Sequence, residues 1–265
     1  MPKLETIRVE RPAEGVAVAT LDRPGRLNAM TMVMFAELEQ LMLDLGEQDD
    51  LRVLIITGAG SAFCAGYDLA DATELPGLSP MGMLRRQEQA VRALTAVRSL
   101  RVPVIAAVNG AAAGGGLALA LAADIRLASP AARFNAAFVR IGLSAGDLGT
   151  SWLLPRLVGP GLAAEIAYTG RFVEAAEAER IGLVNKVVPA PDLLAEAIAM
   201  AGLICANSPA GVQLSKRALQ ANMEVSSYAA ALELENRGQV LLTQGEDMPE
   251  ALAAFTERRA PVFGR

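Results

Sequence analysis

The 265-residue chain predicts an α/β fold with a helical C-terminal part. Three observations carry this reading. Short apolar runs suited to buried strands alternate with segments of helical period through the first two thirds, and from Pro191 onward the pattern is helical. In addition, 52% of the residues are hydrophobic but only 4% are aromatic, so the interior is built from Ala, Leu, Val and Ile, which allow close packing of helix on sheet.

Ile7 to Glu10 and Val16 to Leu21 alternate apolar with polar or small residues around Glu14-Gly15, as a hairpin does. After the turn Arg23-Pro24-Gly25, Met34, Leu38, Leu41 and Leu45 recur at helical spacing, giving an amphipathic helix that starts near Thr31. Val53 to Thr57, ended by Gly58, is a short buried strand. Asp71 to Met83 is loop-like, with Pro76, Gly77, Pro80 and Gly82, and Leu84 to Leu100 is helical. Val104 to Val108 is a second buried strand, and Leu117 to Ala123 the helix that follows it. Ala195 to Ile204, Val212 to Ala221, Tyr228 to Val240 and Met248 to Arg258 are helical. No repeat is evident along the chain. The pattern divides it into a core over residues 1–190, which holds the candidate site, and a helical region over 191–265 that covers the core or a neighbouring subunit.

A net charge of −5 and the lack of a basic cluster argue against a nucleic-acid partner. The start, MPKLETIRVERP, has charges where a secretory signal is apolar, which predicts a cytoplasmic protein; Cys64 and Cys205 are then expected as free thiols. Val102 to Ala123 has the length of a membrane span, but Pro103, Asn109 and its glycines fit strand, turn and helix better, so no membrane partner is expected. The chain contains no histidine, which excludes His triads and His metal sites. Proton transfer falls to carboxylates, Tyr, Lys or Cys.

In NGAAAGGGLALALAADIRLAS, from Asn109 to Ser129, three adjacent glycines, Gly114 to Gly116, precede an apolar helix. Each costs about 1 kcal/mol relative to Ala in a helix interior. Strand, glycines and helix in that order leave free backbone N–H groups at a helix N-terminus, where negative charge is favoured. Tight helix packing explains the same run equally well. A second loop, Ser61 to Leu69, also follows a buried strand, and Gly66 lets the chain turn so that the Tyr67 N–H is exposed. Two such loops after adjacent strands can aim two N–H groups at one carbonyl oxygen, which is how an oxyanion hole is built.

These pieces resemble the crotonase family, also called the enoyl-CoA hydratase/isomerase family. The matching stretches are LDRPGRLNAM (Leu21 to Met30), AFCAGYDL (Ala62 to Leu69), VPVIAAVNGAAAGGG (Val102 to Gly116), ADIRLAS (Ala123 to Ser129), ARFNAAFVRIGLSAGDLGTSWLLPRLVG (Ala132 to Gly159) and AAEAERIGLVNKVV (Ala175 to Val188). They are collinear over nearly the whole chain. The resemblance implies a crotonase-like spiral of ββα units with a C-terminal helical region, assembled as a homotrimer or a dimer of trimers. It implies an acyl-CoA thioester as substrate, with coenzyme A entering as part of that substrate and no separate cofactor or metal. The oxyanion-hole N–H groups fall on Tyr67 and Gly115, beside Ala65 and Gly114. Asp68 and Leu69 lie beside the substrate in that loop, though Asp68 also reads as a loop cap or brace. Arg26 and Leu27 match positions that touch CoA, and Phe255 and Arg258 match a C-terminal pair that contacts CoA, often from a neighbouring subunit. Solvated surface charge is the alternative for Arg26 and Arg258.

Hydratases of the family carry a glutamate three residues after the oxyanion-hole glycine and another about twenty residues on, where this chain has Ala118 and Phe138. Ordinary hydration, which needs two carboxylates to activate water, is therefore not expected. Asp147 stands where isomerases and dehalogenases of the family place a catalytic aspartate. It reads either as a proton shuttle in a pocket lined by Phe138 and Trp152, or as an N-cap for the helix after Gly149. Double-bond isomerisation of an acyl-CoA is the leading expectation. The alternatives are hydration by another mechanism, thioester hydrolysis or dehalogenation with Asp147 as nucleophile, and a non-catalytic CoA-thioester binder. Cys64 is read as packing, and Ser144 and Ser151 lack an evident base.

Overall fold

The computed structural model describes residues 4–264. The chain opens with the expected hairpin, β1 (Ile7–Ala13) and β2 (Val16–Leu21), then α1 (Met32–Gly46), whose first turn is capped by the Thr31 hydroxyl accepting the Met34 N–H at 3.2 Å. Next come β3 (Val53–Gly58), β4 (Ala62–Cys64), α2 (Leu69–Ala72) and α3 (Pro80–Ser99). They are followed by β5 (Val104–Val108), β6 (Ala111–Ala113), α4 (Gly115–Ala122), β7 (Ile125–Ala128), β8 (Arg133–Asn135), α5 (Thr150–Val158) and α6 (Pro160–Thr169). After β9 (Val173–Glu174), α7 (Ala175–Arg180) and β10 (Lys186–Val187), the chain ends in α8 (Leu193–Cys205), α9 (Pro209–Asn222), α10 (Tyr228–Thr243) and α11 (Asp247–Glu257).

The strands form a six-stranded sheet, β1-β2-β3-β5-β7-β10, antiparallel only at β1-β2, and a four-stranded sheet, β4-β6-β8-β9. From β3 to β8 successive strands alternate between the sheets: β3, β5 and β7 enter the large one, and β4, β6 and β8 the small one, with helices between each pair and the next. That is the ββα spiral. It is also a structural repeat where the sequence shows none, because the second strand of each unit is only three residues long.

The large sheet is covered on both faces, which explains the continuous apolar runs of its central strands. Leu54, Ile56, Val104 and Ala106 face the layer of α1, α3 and α4, while Val53, Ile55, Ile105 and Ala107 pack against Leu193, Ala197 and Ala201 of α8. The segment expected as a loop over Asp71 to Met83 holds the end of α2, a single 3-10 turn at Leu75–Gly77 and the start of α3. That helix begins at Pro80, earlier than expected, because Pro suits the first helical position and the Ser79 hydroxyl accepts the Gly82 N–H at 3.1 Å. Among the described residues no single helix is long and apolar enough to cross a membrane. Cys64 and Cys205 are both free.

Candidate active site

The alternation between sheets brings the loop after β4 against the start of α4. Tyr67 pairs with Met30 as an isolated parallel bridge: the Met30 N–H donates to the Gly66 carbonyl at 2.7 Å and the Asp68 N–H to the Met30 carbonyl at 2.9 Å. Parallel pairing of this kind uses the groups on either side of Tyr67 and leaves its own N–H unused. Gly115 is the first residue of α4, so its N–H has no partner within the helix. Among the described residues neither N–H has an internal acceptor.

The three glycines divide their roles. Gly114 holds φ +50 and ψ −116 and donates to the Asn135 carbonyl at 3.0 Å, while a Cβ on Gly116 would stand 2.0 Å from the Cys64 carbonyl oxygen. A Cβ on Gly115 would meet only ordinary contacts at 3.4 to 3.7 Å. Packing explains its neighbours; at Gly115 itself, glycine keeps the space beside the N–H open.

Tyr67 and Gly115 both line a cavity of about 190 Å³. Ala65, Leu69, Gly114, Phe138 and Asp147 line the same cavity. Ala118 is fully buried and Phe138 nearly so, so the two positions that would carry glutamates in a hydratase are apolar here. Asp147 is the only acidic residue in the lining. Its carboxylate accepts the Gln87 side-chain N–H, and it does not cap α5: the cap is Gly149, and only the Asp147 backbone carbonyl takes part, accepting the Thr150 N–H at 2.8 Å. Burial pushes the Asp147 carboxyl above the usual range, against the opposing pull of the Gln87 and Leu148 N–H groups. Leu148 next to it sits at φ +48, a strained conformation for a leucine.

Several expected contacts lie elsewhere. Trp152 does not line the cavity. On α5 the inward side is held by Thr150, Leu153 and Leu154, so Trp152 turns outward, where the Arg156 guanidinium stacks 3.2 Å above its ring centroid. Asp68 braces its loop, the second of its two expected roles: buried, it bonds Arg26 at 2.8 Å, Arg23 at 3.0 Å and the Ala70 N–H at 3.1 Å, and these partners hold its pKa down to about 2. Arg26 is thereby tied to Asp68, and Leu27, at φ +50, clamps the loop by accepting the Ala65 N–H at 3.0 Å. Neither lines the cavity. Phe255 and Arg258 lie at the end of α11, and within one chain neither reaches the lining. Cys64 is fully buried and its thiol is pushed up to about 12, which makes it inert packing.

Sequence reasoning missed Arg86 and Gln87. Both line the cavity from α3. The signal was present: Met83, Gln87, Ala90, Leu94 and Val97 follow one helical stripe, and Gln87 is the polar residue within it. The Arg86 Nη2 lies 3.4 Å from Glu74, but its Nη1 is buried with no partner among the described residues, and so is the Tyr67 hydroxyl, whose ring stacks on Phe35 with centroids 6.3 Å apart.

Comparison with known proteins agrees with this architecture. The family model described as enoyl-CoA hydratase/isomerase matches residues 11–265. A Mycobacterium tuberculosis protein named "probable enoyl-CoA hydratase" is 43% identical over 264 residues, spanning 97% of this chain and 92% of the relative. Among solved structures, a "probable enoyl-CoA hydratase/isomerase" from Mycobacterium abscessus is similar at 40% identity and a TM-score of 0.91, with 98% of both chains covered. A monofunctional enoyl CoA isomerase from M. smegmatis is 42% identical with a TM-score of 0.75, covering 86% of this chain and 98% of that one.

Proposed function

The chain belongs to the enoyl-CoA hydratase/isomerase family of enzymes, and from that premise we propose that it shifts a double bond within an acyl-CoA thioester, with Asp147 carrying the proton. The observation that carries this reading is the meeting, on one cavity, of two N–H groups without internal acceptors and a single carboxylate.

In this reading the Tyr67 and Gly115 N–H groups bind the thioester oxygen. As a proton leaves a carbon of the acyl chain, negative charge moves onto that oxygen, and both hydrogen bonds strengthen. One such donor is worth about 3 kcal/mol in the transition state. Asp147 takes the proton and returns it two carbons further along, so the bond moves and nothing is added or lost. A carboxyl held above its ordinary pKa is suited to both halves of that transfer. Gln87 fixes its orientation through the hydrogen bond to Asp147. Coenzyme A enters only as part of the substrate.

Hydration is disfavoured by the apolar residues at Ala118 and Phe138, which leave no second carboxylate to orient water. We also assign the exposed apolar residues of the C-terminal helices, Leu219, Leu241 and Phe255 among them, to the interface of a homotrimer or dimer of trimers. A solution mass measurement tests that assignment, and a monomer contradicts it.

The reaction is tested by proton NMR of a panel of 2- and 3-enoyl-CoAs in heavy water. Positional isomers are expected, with deuterium at C2 or C4 to the extent that the proton held by Asp147 exchanges with solvent before its return. Hydroxyacyl products would establish hydration instead, heavy oxygen from labelled water in Asp147 would establish covalent attack, and binding without conversion would leave a thioester-binding protein.

A further inference from the structure

We infer that the acyl group handled at this site ends in a carboxylate, received by the Arg86 guanidinium and the Tyr67 hydroxyl. The inference rests on the acyl-CoA reading above and adds the substrate class. Two of the polar groups lining the cavity are buried and have no partner among the described residues: Arg86 Nη1 and the Tyr67 hydroxyl. Buried donors without acceptors are costly and uncommon, and two on one cavity mark a place where an acceptor arrives with the ligand.

The chemistry of that acceptor follows from what Arg86 leaves unused. Among the described residues its ion-pair partner is Glu74, 3.4 Å from Nη2, a long contact whose carboxylate side chain is 70% exposed. Its charge is not used by the proton carrier either, because Asp147 takes its hydrogen bond from Gln87, the next residue along α3. One helix thus presents two neighbouring side chains to two separate tasks, Gln87 to Asp147 and Arg86 to the side of the cavity lined by Tyr67. A guanidinium with a free N–H and a phenol hydroxyl that feels its charge, both in the lining of one cavity, provide two donors and a positive charge, which match a carboxylate better than a methyl group or a lone carbonyl.

The test compares matched pairs of saturated CoA thioesters of four, six and eight carbons, each pair ending in a methyl or in a carboxylate, such as hexanoyl-CoA and adipyl-CoA. Saturated chains bind without turnover, so calorimetry on the full-length protein reads affinity alone. At one chain length or more, the carboxylate form is expected to bind about 10- to 100-fold more tightly. R86Q should collapse that ratio toward one, R86K should retain part of it, and Y67F, which keeps the backbone N–H, should lower it several-fold, each with an unchanged thermal transition. If methyl-ended thioesters bind as well at every length, or if the preference survives R86Q, the inference is overturned and the thioester reading stands. If neither series binds, the thioester reading itself falls, and the inference with it.

Discussion

Gly66 and Gly115 meet so closely that a Cβ on Gly66 would stand 3.3 Å from the Gly115 amide nitrogen, and 2.6 Å from the Ala113 carbonyl oxygen. Gly66 also holds φ +93. G66A must therefore displace the Tyr67 peptide, the Gly115 turn, or both. The expected cost is about 2 kcal/mol of stability or more, with kcat reduced about 100-fold or more through loss of one oxyanion donor. Chemical denaturation and steady-state kinetics check the two parts separately.

G115A and G116A should separate activity from folding. A methyl on Gly115 meets only van der Waals contacts, so the variant is expected to fold with stability within about 1 kcal/mol of the parent. It should nonetheless lose about 100-fold in kcat/KM, because the methyl displaces the incoming thioester. A methyl on Gly116 collides with the Cys64 carbonyl at 2.0 Å, and that variant should lower the thermal transition sharply.

The pH profile reports on Asp147. Its pKa is raised, so its basic form is lost as pH falls through a value above the ordinary carboxylate range, and the acid limb of kcat/KM should lie there. D147N is expected to abolish that limb and cost 100- to 10,000-fold in rate, on the order of what one acid–base group contributes. Q87L removes a hydrogen bond that pulls the pKa down, so it should move the limb to higher pH. A raised folded-state pKa also means that the ionised carboxylate destabilises the fold at neutral pH. D147N should therefore be slightly more stable there than the parent.

Asp68 predicts the opposite sign. Its pKa is depressed to about 2, so its contribution is complete above the unfolded-state value of about 3.9 and disappears as pH falls through about 2. Acid unfolding of the parent should show this loss between those limits, and D68N should not. At neutral pH, D68N should cost more than the 0–1 kcal/mol of about any exposed ion pair, since it loosens Arg23, Arg26 and the Ala70 N–H together.

The elements that bury long apolar faces were legible in the sequence: the hairpin, the two central strands, and the helices from Met32 and Leu193 onward each carry a period that their packing then uses. The small sheet was not. Ala62–Cys64, Ala111–Ala113 and Arg133–Asn135 are too short to show an alternation, and they are strands only because each pairs with a segment distant in the chain. The backbone half of the site was legible because glycine reports its own conformation, as at Gly66 and Gly114. The side-chain half was less so. Arg86 and Gln87 lie in a charged helix, and only the approach of Asp147, sixty residues away, gives Gln87 a partner. Trp152 was misplaced because its distance from Asp147 along the chain says nothing about which way α5 turns it.

The most direct test of the account is the vibrational spectrum of a thioester carbonyl, carbon-13 labelled, in an acyl-CoA bound to the enzyme. Two N–H groups converging on that oxygen should move its stretch to lower frequency than in water, and G66A should reverse much of the shift. A bound carbonyl that absorbs at the frequency of the free thioester, with no response to G66A, would contradict it.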